Sequence, residues 1–230
     1  INESADYDGL FEQSFGASAN VINIGEALAS YQRTVLSANS PFDRWYFGKE
    51  KDALSAEAVT GFELFTGRAG CAGCHLINEK HAMFTDHQVH NTGVGAQHLS
   101  EKRKSMVPVA VELVPGVTVP IKLRAGNSKA KLSPQDLGRM GITDRVEDLF
   151  AFKTPILRNV ELTAPYMHDG RFETLEDVVR FYSTNVQAHP NLHVRLINNN
   201  SGQILRPNYT DAEVDALVAF MKTLTDDNFT

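Results

Sequence analysis

The stretch Gly70-Cys71-Ala72-Gly73-Cys74-His75 contains both cysteines of this 230-residue chain. Two thiols with two residues between them can add across the two vinyl groups of one porphyrin, and the next residue can then place an imidazole on the iron. This C-x-x-C-H pattern is the attachment motif of c-type haem. It predicts one covalently bound haem c, held by Cys71 and Cys74, with His75 as an axial ligand of the iron.

Two other interpretations of the motif are a thioredoxin-like C-x-x-C and half of a zinc site. The residues around the motif show no βαβ pattern, which a thioredoxin-like motif would accompany. A cysteine-based zinc site would use a second pair of cysteines, and the chain has none. Haem attachment is therefore the interpretation that the motif favours.

The composition favours a soluble globular protein. Hydrophobic residues make up 42% of the chain, and the formal net charge is −6. No apolar run approaches the roughly 18 residues that would span a bilayer, and no stripe of Lys and Arg points to nucleic acid. We therefore expect no membrane span and no nucleic-acid partner, and the acidic balance suits a partner with a basic face.

The start of the chain and the motif together predict where the protein works. The chain begins at Ile1, without an initiator methionine or a signal peptide, so we expect a processed or truncated product. Because c-type haem is attached outside the cytoplasm, the motif predicts a periplasmic location.

Amphipathic spacing of apolar residues predicts four helices. They lie near 20–38, from Ser55 to Gly67, from Thr174 onward and from Thr210 onward. A helix before the haem motif and an amphipathic helix at the end favour an all-α, cytochrome c-like haem domain over 51–230. We expect residues 1–50 to form a helical lead-in segment that packs on this domain.

Residues 98–135 differ from the rest of the chain. The run Val107–Leu123 is rich in β-branched residues around a Pro115-Gly116 turn, which predicts a β-hairpin inserted into the domain. The basic residues that flank or end this run are Lys102, Arg103, Lys104, Lys122, Arg124, Lys129 and Lys131. The insertion is interpreted as either a solvated surface excursion or a docking surface for an acidic partner.

Several separated strings of residues resemble one family. They are Asn39–Arg44, Gly70–His75, Phe84–Gly93, Phe152–Val160 and Leu162–Phe172, followed by Thr174–Asp177. In this order, from about Phe11 to Leu224, the chain resembles the bacterial dihaem cytochrome c peroxidase/MauG family. Family members have two cytochrome c-like domains, each with its own C-x-x-C-H, and this chain resembles the C-terminal one.

The resemblance implies that a second haem, in a missing half or a separate chain, contains the peroxide pocket. No catalytic residue is therefore assigned here. For the second axial ligand, the residues alone leave Met167, Tyr182 and several histidines open. A thioether would raise the reduction potential, whereas a phenolate favours ferric iron. The resemblance implies Tyr182, because MauG-like members have Tyr where ordinary peroxidases have Met. The alternatives are that Tyr182 is a core aromatic residue and that Met167 is the ligand.

The resemblance also bears on residues away from the motif. Thr163 and Pro165 match positions whose carbonyl oxygens bind Ca²⁺, a hard cation that prefers oxygen ligands. Arg158 either pairs with a haem propionate or forms a structural ion pair, and His90–Asn91 belong to a family string. Trp45 is interpreted as a core or interface residue, with relay of an electron hole as the alternative.

Three functions remain open from the sequence. The first is a MauG-like oxidoreductase that uses H2O2 at the second haem and stores and transfers oxidising equivalents through a His75/Tyr182 haem to a protein substrate. The second is a conventional peroxidase that takes electrons from a small redox protein, a cytochrome or a cupredoxin. The third is a non-enzymatic monohaem electron carrier, although the chain is longer than such a carrier needs.

Overall fold

The computed structural model describes residues 1–96, 106–114, 117–124 and 137–229. They divide into two units, Ile1–Ala38 and Asn39–Thr230. Residues 39–50, which the sequence assigns to the lead-in segment, group with the second unit. None of the helices in the described ranges is both long and apolar enough to cross a membrane.

The first unit contains helix α1 (Leu10–Phe15) and helix α2 (Val21–Thr34). The Asn20 side chain caps α2 by accepting from the backbone N–H of Ile22 and Asn23, which explains where the helix begins. The predicted helix near 20–38 is therefore confirmed. Its apolar residues, and those just after it, are largely exposed, namely Val21, Ile22, Leu28, Tyr31, Val35 and Leu36.

Five helices of the second unit lie wholly within the described residues. They are α3 (Pro41–Tyr46), α4 (Ala56–Thr66), α5 (Met140–Thr143), α6 (Leu175–Arg180) and α7 (Asp211–Lys222). The hydroxyls of Ser55, Thr174 and Thr210 each accept a backbone N–H three residues on, so the three predicted helix starts are confirmed. Short 3-10 turns occur at Ala5–Tyr7, Lys51–Ala53, Cys71–Gly73, Val146–Asp148, Val160–Leu162, Val194–Leu196 and Asp227–Phe229.

Helices α4 and α7 cross at close range, and Gly61 makes this approach possible. A Cβ atom at position 61 would overlap the carbonyl oxygen of Ala216 and lie 2.8 Å from the Cβ of Phe220. A residue without a side chain is therefore required where the helices meet. The crossing belongs to the larger apolar core of this unit, whose fully buried side chains include Phe42, Phe65, Phe84, Val214, Phe220 and Leu224.

Two small sheets accompany the helices in the part of the chain that the structure describes. Strand β1 (Val89–Asn91) pairs antiparallel with β4 (Ala151–Lys153), and the all-α expectation did not include this pair. Three-residue strands carry too little alternation to be recognised from a sequence. Strands β2 (Met106–Val114) and β3 (Val117–Arg124) pair antiparallel, which confirms the predicted hairpin. The basic residues at 102–104, 129 and 131 lie outside the described residues, and the docking interpretation stays a prediction.

The sequence indicates one regular helix from Thr174 through Tyr182, but helix α6 ends at Arg180. After Arg180 the chain forms a single π-helical turn, Phe181–Asn185. Turns of this kind are rare and often mark functional sites. The turn belongs to a second, smaller apolar cluster, whose buried members are Val94, Phe181, Val186 and Leu192.

Replacing Gly61 by alanine should destabilise the protein. The added methyl group overlaps the α7 backbone, so the two helices must move apart, at a cost of about 1–3 kcal/mol for an overpacked core. In a domain of this size each kcal/mol lowers Tm by roughly 2–4 °C, which thermal unfolding followed by circular dichroism measures.

Gly25→Ala is the matched control, because a Cβ at position 25 of α2 meets nothing within 4 Å. Alanine also has the better helix propensity, so we expect an unchanged or raised Tm. Equal losses of Tm in the two variants would contradict the packing role of Gly61.

Candidate haem-binding site

The Cys71–His75 motif forms one tight turn directly after α4. Residues Cys71–Gly73 make a 3-10 turn preceded by Gly70, whose φ of +68° lies in the left-handed region. The carbonyl of Cys71 accepts the backbone N–H of Cys74 at 3.2 Å and of His75 at 2.9 Å. The two thiols and the imidazole therefore start from a single turn of backbone.

The His75 ring is oriented by the backbone of Phe84. Its Nδ1–H donates to the Phe84 carbonyl at 2.7 Å, so in this tautomer Nε2 is the unprotonated nitrogen. Burial lowers the pKa of His75, and the carbonyls of Phe84 and Pro155 act in the opposite direction. A neutral imidazole whose other nitrogen donates to a carbonyl is the usual arrangement of a metal-binding histidine.

Both cysteines are half-buried free thiols. Burial raises the pKa of Cys71 to about 12, and burial together with Asp86 raises that of Cys74. Because redox-active C-x-x-C motifs lower the pKa of their nucleophilic thiol, these values do not support the thioredoxin-like interpretation. The motif therefore offers two protonated thiols and one imidazole, a donor set that fits the covalent attachment of haem c.

Tyr182 lies close to this motif. It is half-buried beside the smaller apolar cluster, and burial raises its pKa to about 12. A hydrogen bond with Thr92 lowers this pKa, and the electrostatic influence of Cys71 and Cys74 raises it. Met167, the alternative ligand, packs against the same cluster with a φ of +71°.

A second tyrosine, Tyr209, also lies near Cys71, and the sequence analysis missed it. Burial and the electrostatic influence of Cys71 raise its pKa to about 12, and the Arg68 guanidinium lies 5.3 Å from its ring centroid. Tyr209 directly precedes Thr210, the capping residue of α7. Its position directly before the predicted helix start at Thr210 was the only signal in the sequence, because the motif lies far away along the chain.

Arg158 is engaged by other protein groups. Its Nη1 and Nη2 donate to the two carboxylate oxygens of Asp43 at 2.6 and 2.7 Å, and Nε donates to the Ala82 carbonyl at 2.7 Å. The side chains of Arg158 and Asp43 are only 8% and 10% exposed. Burial alone would raise the pKa of Asp43, but Arg158 and Ser40 outweigh it and lower this pKa. The geometry therefore supports the structural ion pair over a propionate contact.

The remaining predicted residues have less specific surroundings. Thr163 and Pro165 are exposed, and the Thr163 hydroxyl donates to the Val160 carbonyl at 3.1 Å, so the calcium site stays a prediction. Trp45 packs edge-on against Phe62, with ring centroids 5.0 Å apart, as expected for a packing residue.

His90 and Asn91 lie in hydrogen-bonded networks. His90 pairs with Asp86, a partner that the sequence analysis did not identify although Asp86 stands in the same family string. The Asn91 side chain donates to the Leu149 carbonyl and accepts from the backbone N–H of Gly93. Asn91 therefore ties the residues just after β1 to the residues just before β4.

Known proteins resemble this chain over almost all of its length. A family model described as di-haem cytochrome c peroxidase matches residues 1–51. The chain is 33% identical to the methylamine utilization protein MauG of Methylorubrum extorquens, covering 95% of this chain and 49% of that protein. It is 32% identical to the cytochrome-c peroxidase IdrP1 of Denitromonas iodatirespirans, covering 96% of this chain and 54% of that protein. The chain thus spans about half the length of these relatives.

Solved structures share the fold. A MauG-like protein associated with microbial copper homeostasis has a TM-score of 0.58 and 26% identity, covering 95% of this chain and 61% of that one. The diheme peroxidase BthA from Burkholderia thailandensis has a TM-score of 0.62 and 21% identity, covering 96% of this chain and 56% of that one. The relatives that the chain matches are named as cytochrome c peroxidases and MauG proteins. The chain belongs to the dihaem cytochrome c peroxidase/MauG family.

Replacing Arg158 by methionine should destabilise the protein strongly. The change leaves the buried Asp43 carboxylate without its partner, and breaking a buried pair in this way costs about 3–5 kcal/mol. Arg44→Met is the control, because Arg44 pairs with the exposed Asp227 at 2.7 Å and such pairs contribute at most about 1 kcal/mol. Equal losses in denaturant unfolding would contradict the structural role of the Arg158 pair.

The same pair predicts a dependence on pH. Because the pKa of Asp43 is lowered in the folded state, the pair stabilises fully above about pH 5 and loses this effect as pH falls below the unfolded pKa of about 3.9. The unaltered protein should therefore lose more free energy of unfolding between pH 7 and pH 3 than Arg158→Met does.

Proposed function

We propose that this chain is the haem-bearing C-terminal part of a dihaem c-type peroxidase-like oxidoreductase of the MauG kind. In this proposal H2O2 is used at a second haem outside this chain, and oxidising equivalents pass through the haem of this chain to a protein partner. The observation that carries the proposal is that Tyr182 is hydrogen-bonded with Thr92 and lies within electrostatic range of Cys71 and Cys74.

The residues of this chain have distinct parts in the proposal. Cys71 and Cys74 would hold the porphyrin covalently, and His75 would bind the iron through Nε2 while the Phe84 carbonyl holds its ring. Tyr182 would supply a phenol oxygen that, on giving up its proton to bind iron, would favour the ferric state. When bound, the haem supplies the redox chemistry, and the protein supplies orientation and electronic tuning.

The second candidate is a conventional peroxidase with Met167 as the axial ligand. Its support is that Met167 packs against the same small cluster as Tyr182. A thioether ligand would raise the reduction potential and make the haem easy to reduce. Such a haem suits an enzyme that draws electrons from a small cytochrome or cupredoxin.

The first unit supports a larger assembly. Six large apolar residues are exposed within a short stretch on and just after α2. Single exposed apolar residues are common on protein surfaces, whereas clustered ones mark interaction sites. We infer that this face contacts the second haem-bearing half, because the family model matches residues 1–51 and the relatives are about twice as long as the matched region. That half is either joined to this chain or a separate subunit.

Location and calcium binding are further parts of the proposal. A periplasmic protein is proposed because c-type haem is attached outside the cytoplasm. A Ca²⁺ ion between the two haems would use the carbonyl oxygens of Thr163 and Pro165, which are exposed here and thus accessible to a ligand from the second half.

Replacing Tyr182 by phenylalanine should abolish the six-coordinate low-spin ferric spectrum of the haem-loaded chain. The phenyl ring has no oxygen to bind the iron, so the ferric haem loses one axial ligand and its potential rises. Absorption and electron paramagnetic resonance spectra measure the spin state, and titration with ascorbate measures the ease of reduction. The unaltered haem should resist ascorbate.

Tyr209→Phe is the matched control. Tyr209 is also half-buried, and burial together with Cys71 raises its pKa, so its replacement should leave the spectrum unchanged. Loss of the low-spin spectrum in Met167→Leu, together with ready reduction of the unaltered haem by ascorbate, would establish the conventional peroxidase instead. A native protein with one haem and no second haem-bearing subunit would contradict both enzymes and favour the electron carrier.

A further inference from the structure

The segment Phe84–Gly93 contains a hydrogen-bonded Asp–His pair that the proposed ligand set does not use. His90 Nε2 lies 2.6 Å from Asp86 Oδ2, and the two side chains are 15% and 13% exposed. The other carboxylate oxygen of Asp86 accepts the backbone N–H of Gln88 at 2.9 Å. Burial alone would raise the pKa of Asp86, but these hydrogen bonds outweigh it and lower this pKa to about 2. Asp86 is therefore a permanent acceptor at neutral pH.

Residues before and after Asp86 are hydrogen-bonded to one residue of a neighbouring segment, Thr154. The Thr85 hydroxyl donates to the Thr154 carbonyl at 2.7 Å, and the Thr154 N–H donates to the Gln88 carbonyl at 2.9 Å. Phe84, directly before this loop, has a φ of +54°. A backbone conformation of this kind persists only where the surroundings enforce it.

These anchors act on the carbonyl that accepts from His75. Phe84 presents its carbonyl oxygen to His75 Nδ1 at 2.7 Å, and Asp86 lies two residues further along the chain. The Asp86–His90 pair joins that loop to β1, which in turn pairs with β4. A short path along the chain thus connects the Phe84 carbonyl with Asp86 and His90.

A metal site is the other use that this cluster offers. The ligand atoms of Cys74, Asp86 and His90 lie within 4.8 Å of one another. Cys74, however, is a proposed haem attachment residue, so its sulfur is committed. His90 also packs against His193, with ring centroids 4.1 Å apart. The Asp86–His90 pair is better explained by its connection, along the chain, with the Phe84 carbonyl that accepts from His75.

We propose that Asp86 and His90 are positioning residues that hold the Phe84 carbonyl against His75 and thereby set how readily the haem is reduced. The inference rests on the proposed function, in that it takes His75 as the axial ligand. A hydrogen bond from Nδ1–H makes the imidazole a stronger donor and tunes the metal. A firmly held carbonyl therefore stabilises ferric iron, and a loosened one makes reduction easier.

The test uses the haem-loaded chain with His90→Leu. Leucine removes the donor to Asp86, and we expect the ratio of ferrous to ferric haem at a fixed ambient potential to rise about tenfold, the lower end of the effects typical of groups that hold a metal ligand in place. For a one-electron couple this is an upward shift of about 59 mV. Spectroelectrochemistry measures the potential, and the ferric g values report the change at the imidazole.

Two conservative variants and one control accompany it. His90→Gln keeps an N–H donor for Asp86 and should restore most of the potential. Asp86→Asn removes the charged acceptor of the same pair. It gives an independent value of the potential if His90→Leu loads too little haem. His81→Leu is the matched control, because His81 is an exposed histidine in the loop before Phe84, and its ring lies 3.2 Å from the Asn78 side chain rather than against Asp86.

The outcomes separate this inference from the proposed function. An unaltered chain without covalent haem overturns the proposed function and this inference with it. A haem-loaded His90→Leu chain whose potential and g values match those of His81→Leu overturns this inference alone. A lowered Tm with an unchanged potential has the same meaning, because it would show that the pair only stabilises the fold.

Discussion

The hydrogen bond from His75 Nδ1 to the Phe84 carbonyl connects the apolar core with the candidate haem site. The Phe84 ring is fully buried and lies 5.1 Å from the Phe42 ring and 6.1 Å from the Phe65 ring. The carbonyl of the same residue fixes the imidazole. One residue thus packs in the core through its side chain and orients the proposed iron ligand through its backbone.

The rest of the site extends along the chain from this contact. The segment that begins at Phe84 continues through the Asp86–His90 pair to Thr92, which hydrogen-bonds with Tyr182. A single ten-residue string, Phe84–Gly93, therefore reaches both proposed axial ligands. Such surroundings of a metal commonly control its affinity for electrons as much as the ligands themselves do, and here they come from one continuous segment.

The sequence predicted the parts of the molecule that depend on local signals. Helix starts at Ser55, Thr174 and Thr210 follow from capping chemistry within four residues. The π-helical turn at Tyr182 and the short β1–β4 pair depend on tertiary contacts that local patterns do not contain.

For the candidate site, the motif at Cys71–His75 was recognisable because its chemistry fixes its spacing. The partner of Arg158 was not, because Asp43 lies 115 residues away and the sequence leaves an ion pair and a propionate contact equally open. Asp86 was missed for a related reason. Its importance lies in what it holds in place, and only the folded backbone shows that the Phe84 carbonyl meets His75.

Covalent attachment of haem tests the account most directly. The intact mass of the chain, purified after expression with a c-type maturation system, should exceed that of the polypeptide by one haem, and the haem should resist extraction with acidified acetone. Replacing both Cys71 and Cys74 by alanine should make the haem extractable. A chain with the mass of the polypeptide alone, or a haem that is extractable from the unaltered protein, would contradict the account.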